Sequence, residues 1–168
     1  MSRFTVPIRQ SQKGQRDITF AILASAQGHR MKSYCPKAMI PVNRKEVLLD
    51  LTLERILSEY PRSDIVIVTG FKSEAIEKKI DRRIRIVENQ LYDQTNSLEE
   101  ARLAINNCTN SRIVLLSGDL MFNSQTIKNI ARGDSCLIYD DNDQIQDDDV
   151  GMSIISSKVV NMSYGLDK

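Results

Sequence analysis

Short apolar runs alternate along the chain with segments of helical periodicity, and this alternation limits the fold more than any other feature of the sequence. Residues 18–24 (ITFAILA), 65–69 (IVIVT), 84–88 (IRIVE), 113–117 (IVLLS) and 135–139 (SCLIY) each have the length and character of a buried strand. Between them, residues 46–60 place Leu49, Leu53, Ile56, Leu57 and Tyr60 on one helical stripe, and Pro61 ends it. Residues 73–80 predict a short helix with Ile76 and Ile80 on one face. Ser97 followed by Glu100 reads as a capping box that opens a helix through about Asn106. Asn123 or Ser124 caps a further helix through Ala131. Strands alternating with helices imply right-handed βαβ units. The expected fold is a three-layer α/β/α, Rossmann-like domain with a mostly parallel sheet. Ligands bind such sheets outside the carboxyl ends of the strands. That rule singles out the loop after Ala24, the segment after Glu88 and the loop after Ser117.

The 168 residues suffice for about one domain with a substantial core. Lys and Arg total 23 against 22 Asp and Glu, so bulk charge gives no argument for nucleic-acid binding. No apolar run approaches a membrane span, and the amino terminus lacks the apolar core of a signal peptide, so the expected compartment is the cytosol, with no membrane partner. Cys35, Cys108 and Cys136 are too widely spaced for a metal or disulfide pattern. His29 is the only histidine, and no G-x-S-x-G elbow accompanies it. Residues 1–17 are polar and read as a flexible arm before a domain spanning 18–168. Residues 140–149 hold six Asp and read as a solvated loop; a metal site there would need more convergent geometry than a run provides. Residues 150–155 and 159–163 alternate about Ser156-Ser157-Lys158 and predict a hairpin.

The first loop carries the chemistry. It reads Leu23-Ala24-Ser25-Ala26-Gln27-Gly28-His29-Arg30-Met31-Lys32, then Pro36-Lys37. Small residues directly after a strand let backbone N–H groups approach a ligand, and successive amides can form an anion-binding nest. Arg30 offers a planar fork of donors to phosphate, and Lys37 a point charge. The loop matches neither the P-loop pattern nor G-x-G-x-x-G. The run 65–69 closes on Gly70-Phe71-Lys72, without the acidic residue that holds a ribose in dinucleotide-binding folds.

This loop resembles the signature of the nucleotidyltransferases that activate sugar phosphates or phosphocholine, L-A-A-G-x-G-x-R-[ML] followed by P-K. Leu23, Ala24, Gly28, Arg30, Met31, Pro36 and Lys37 match; Ser25 replaces an alanine and Ala26 replaces the first glycine. Were φ positive at position 26, that alanine would cost about 1 kcal/mol or more. The stretch 36–42 (PKAMIPV) is similar to the family's PKALIPV. Residues 88–98 (ENQLYDQTNSL) resemble the N-x-x-Y-x-x-T/Y-N-x-x-S-L region of choline-phosphate cytidylyltransferase-like members, with the serine slightly out of register. Residues 115–122 (LLSGDLMF) resemble the family's G-D-x-x-F strand end.

The resemblance implies the nucleotide-diphospho-sugar transferase fold. It also implies Mg²⁺-dependent transfer of a nucleoside monophosphate from a triphosphate, CTP or UTP favoured, to a phosphorylated small molecule, with release of pyrophosphate. By the same resemblance Arg30, Lys37 and Asp119 are the catalytic residues and Asp119 the Mg²⁺ ligand. Leu23, Ala24, Ser25, Ala26, Gly28, Gln90, Asn96 and Ser97 would surround the nucleotide. Gln90 and Asn96 can offer paired donors and acceptors to a pyrimidine edge; for Ser97, capping is the alternative. Family members continue beyond this length, so the resemblance also implies a chain that stops early. Apolar surface near residues 150–163 then predicts self-association. The competing expectation is a relative or fragment that binds nucleotide without turnover.

Overall fold

The computed structural model describes residues 18–27, 35–132, 136–138 and 150–164. The arm 1–17, the acidic run 140–149 and the loop positions Gly28 and Arg30 lie outside the described residues. The chain divides into two compact units, 1–135 and 136–168.

In the first unit the order is β1 (Ile18–Ala24), a 3₁₀ turn (Lys37–Met39), α1 (Leu48–Glu59), β2 (Asp64–Thr69), α2 (Ser73–Glu77), β3 (Arg85–Glu88), α3 (Ser97–Asn106), β4 (Arg112–Ser117) and α4 (Ser124–Arg132). The four strands form one parallel sheet in the order β3-β2-β1-β4. β1 and β2 are central and buried on both faces, as their aliphatic and β-branched side chains require. One face carries Phe20, Ile22, Ile67 and Leu116 against Leu49, Leu53 and Ile56 of α1, Ile76 of α2 and Ile127 of α4. The other face carries Ala21 and Val68 against Ala104 of α3. The domain is thus an α/β/α three-layer structure, as the alternation of runs predicts.

The helix ends show which local choices prevail. α1 begins at Leu48, two residues later than its periodicity suggests. Asp50 fixes this start by accepting the Val47 N–H at 3.0 Å, and it pairs with Lys79 at 2.9 Å. α3 is capped by Asn96, not Ser97: Asn96 Oδ1 accepts the Leu98 N–H at 3.0 Å. The short Asn side chain closes this turn one residue earlier, leaving Ser97 inside the first turn. Asn123 caps α4 through the Thr126 N–H at 2.7 Å. Residues 136–138, expected as the middle of a fifth strand, are irregular, and Leu137 and Ile138 are exposed. An apolar run becomes a strand only when a neighbouring ladder takes its backbone groups, and among the described residues no sheet includes 136–138. Ser135 and Tyr139 lie outside the described residues.

At the amino end of the sheet, Asp64 gathers the adjacent segments. It accepts hydrogen bonds from Thr19 Oγ1 and Thr109 Oγ1, each at 2.8 Å, and from the Arg85 guanidinium. Burial works to raise its pKa, but the two hydroxyls and the Arg85 charge outweigh burial and hold the carboxyl below its ordinary value.

The second unit contains the expected hairpin, β5 (Val150–Ile155) paired antiparallel with β6 (Lys158–Tyr164). Ser156 and Ser157 occupy the turn with φ of 50° and 60°, the left-handed geometry that two-residue hairpin turns favour.

Candidate functional site

The register aligns the strand ends. Leu23 of β1 pairs with Ser117 of β4, Ala24 with Thr69 of β2, and Thr69 with Glu88 of β3. Three backbone bonds extend this row past the ladders: Gly118 N–H to Leu23 O at 2.7 Å, Phe71 N–H to Ser25 O at 3.0 Å, and Asn89 N–H to Thr69 O at 2.7 Å. The loops after β1, β2, β3 and β4 therefore leave the sheet together, where the topology places a ligand.

Glycine is required twice here. A Cβ on Gly118 would lie 2.7 Å from Leu23 O, and one on Gly70 would lie 2.6 Å from the Tyr92 Cβ and 2.8 Å from the Ser25 Cβ. Neither neighbour is the end of a flexible side chain, so a larger residue forces the loops apart. Ala26, which replaces a family glycine, is not among the residues with positive φ, so its Cβ carries no left-handed strain.

A cleft of about 400 Å³ opens at these strand ends. Leu23, Ala24, Ala26, Lys37, Ser97 and Asp119 line it. Ser25, between Ala24 and Ala26, is buried. Lys37, carried by the 3₁₀ turn, donates from Nζ to Asp119 Oδ2 at 2.8 Å, across 82 residues of sequence. Ser117 Oγ donates to the other carboxylate oxygen. Burial works to raise the Asp119 pKa, but the hydrogen bonds from Lys37 and Ser117, with the Lys37 charge, prevail and lower it. Asp119 is thus held ionised at the rim of the cleft.

Not every expected site residue gathers there. Gln90 is exposed and does not line the cleft. Asn96 uses its side-chain oxygen for the α3 cap and borders a separate groove with Leu98 and Ile105. Two residues without an assigned site role are prominent. Asn89 is buried; its Oδ1 accepts the Leu91 N–H at 3.1 Å, and its Nδ2 donates to Thr95 Oγ1 at 2.9 Å, which fixes the loop between β3 and α3. Glu100 is buried on α3, lines the cleft, and accepts the Ser25 N–H at 3.5 Å. Its position three residues after Ser97 on one helical face is the sequence signal that could have found it.

Among the described residues no group of three or more His, Cys, Asp or Glu side chains is arranged to hold a metal ion. Among the described residues, Asp119 and Glu100 are the carboxylates that line the cleft. That set suits Mg²⁺ in the mode in which one or two carboxylates share the ion with nucleotide phosphates.

No protein-family model and no curated protein sequence matches the chain. Solved structures of nucleotidyltransferases share its fold. The inositol-1-phosphate CTP transferase from T. maritima superposes with a TM-score of 0.62 at 17% identity, over 92% of this chain and 66% of that one. The CTP:phosphocholine cytidylyltransferase from Streptococcus pneumoniae gives 0.51 at 26% identity, over 65% of this chain and 50% of that one. A Mycobacterium tuberculosis protein solved in complex with manganese gives 0.52 at 22% identity, over 68% and 57%. The chain has the fold of the nucleotidyltransferases, and it spans about half to two thirds of the length of these structures. No helix among the described residues is long and apolar enough to cross a membrane.

Proposed function

We propose that the chain is a nucleotidyltransferase domain that transfers a nucleoside monophosphate, from CTP or UTP, to a phosphorylated small molecule such as a sugar 1-phosphate or phosphocholine. The observation that carries this reading is the Lys37–Asp119 pair at the rim of a cleft formed by the ends of β1 and β4. A cation suited to phosphate and a carboxylate suited to a divalent ion meet at one point, in a fold shared with CTP transferases.

In this reading a phosphomonoester oxygen of the acceptor attacks the α-phosphorus of the triphosphate. The new P–O bond forms as the bond to the β-phosphate oxygen breaks, and its electron pair leaves with pyrophosphate. No general base is needed, because the acceptor oxygen is already ionised near neutral pH. The chain's task is positioning and charge neutralisation. Lys37 holds the α-phosphate or the acceptor phosphate, and Arg30 holds the β- and γ-phosphates. Leu23, Ala24, Ser25, Ala26 and Gly28 surround the nucleotide, and Ser97, in the cleft, faces the base, whereas Gln90 and Asn96 stand outside the cleft. Asp119 holds Mg²⁺, which when bound neutralises charge on the phosphates. The reading places the domain, residues 18–168 behind an arm at 1–17, in the cytoplasm with no nucleic-acid partner. It includes self-association through the exposed Ile155, Val160 and Met162 of the β5–β6 hairpin.

Pyrophosphate release tests the reading. CTP, UTP and GTP are each offered with Mg²⁺ and a panel of phosphomonoesters. Release that depends on both nucleotide and acceptor is expected; tight nucleotide binding with no release for any pair would instead indicate a binder without turnover.

A further inference from the structure

Glu100 is a buried carboxylate that the transfer chemistry does not use. It retains 8% of its surface, yet it lines the cleft beside Ala24 and Ser97. Among the described residues its hydrogen bond comes from the Ser25 N–H, at 3.5 Å, the long end of the useful range. Lys37 lines the same cleft but is engaged by Asp119 at 2.8 Å. A carboxylate withdrawn from water with one long hydrogen bond is costly unless a donor completes it.

We propose that Glu100 is the specificity-determining residue of the cleft, and that it selects a nucleoside bearing an amino group, cytosine over uracil. This rests on the nucleotidyl-transfer reading and names what that reading leaves open. An ionised carboxylate accepts hydrogen bonds and donates none. It disfavours the triphosphate, which the transfer reading assigns to Lys37 and, through a divalent ion, to Asp119. The nucleoside end is left facing Glu100. Cytosine presents an exocyclic N4–H₂ donor there, whereas uracil presents O4, an acceptor whose lone pairs oppose those of the carboxylate. Ser97, three residues earlier on the same helical face and also in the cleft, offers a hydroxyl that can both donate and accept.

The test is calorimetric binding of CTP and UTP, each with Mg²⁺, to the wild-type chain and to Glu100→Gln. Glutamine keeps the size and an acceptor for the Ser25 N–H, but it adds an NH₂ donor that suits uracil O4. The wild-type chain is expected to favour CTP by about tenfold or more, and Glu100→Gln to lose or invert that preference. Glu100→Asp, which keeps the charge but withdraws it, is expected to weaken CTP selectively, and it serves if the glutamine variant fails to fold. A wild-type chain without preference, or variants that weaken both nucleotides by the same factor, would overturn the inference while the transfer reading stands. Failure of both nucleotides to bind the wild-type chain at millimolar concentration would overturn both.

Discussion

Lys37 Nζ lies 2.8 Å from Asp119 Oδ2, so residues from the loop after β1 and the end of β4 close on each other at the rim of the cleft. Each side chain is about one-third exposed, so the pair is screened and contributes little to stability. In the proposed function its consequence is catalytic: the cation assigned to phosphate and the carboxylate assigned to metal neutralise each other until a ligand separates them. Lys37→Met should therefore leave the melting temperature within about 2 °C of wild type. It should weaken CTP binding about tenfold or more. Thermal melts and calorimetry on the same preparation check both. A large loss of stability without a loss of binding would make the pair structural.

Gly118 tests the closeness of β1 and β4. With Leu23 O only 2.7 Å from a would-be Cβ, Gly118→Ala has to push the loop off the strand end. A cost of about 1–3 kcal/mol is expected, together with weaker nucleotide binding. Urea unfolding measures the first; an unchanged midpoint would show that the approach is less tight than described.

Asn89 organises the loop that leads into α3 through both ends of its amide. Asn89→Ala leaves the Leu91 N–H and the Thr95 hydroxyl without these partners, at an expected cost of about 1–3 kcal/mol. Faster hydrogen exchange confined to residues 89–96 would locate the effect. Unaltered protection there would contradict it.

Asp64 sets a pH dependence at the opposite end of the sheet. Its folded pKa is lowered by Thr19, Thr109 and Arg85 against the opposing pull of burial. The stabilisation is therefore present above the ordinary carboxylate value of about 3.9 and is lost as pH falls through the depressed folded value. Wild type should lose stability below about pH 4 more steeply than Asp64→Asn, which cannot titrate there. Urea midpoints for both chains between neutral pH and acid check this, and parallel curves would contradict it.

The strands and the long helices were legible because their signals are local. The run 18–24 is strand throughout, and the stripe of Leu49, Leu53 and Ile56 is the buried face of α1. Lys37 and Asp119 were legible as separate members of a resemblance, but their contact depends on chain reversal at a sheet end, which no local pattern encodes. Ser97 and Asn96 are both competent caps, so the choice between them was settled by the geometry of the incoming loop. Glu100 read as half of a capping box because its burial depends on how α3 lies over the strand ends. Residues 136–138 have the composition of a strand but, among the described residues, belong to no sheet.

The most direct test of the account is calorimetric titration of CTP into wild type and Asp119→Asn, each with Mg²⁺ and each with chelator. If Asp119 is the metal carboxylate beside the phosphate site, Asp119→Asn loses the Mg²⁺-dependent part of the affinity. It keeps, or slightly improves, the metal-free part, because a like charge is removed and Lys37 is released to the phosphates. Equal losses with Mg²⁺ and with chelator would contradict this. Asp119 would then serve only to hold Lys37 and Ser117, and the cleft would have no metal site.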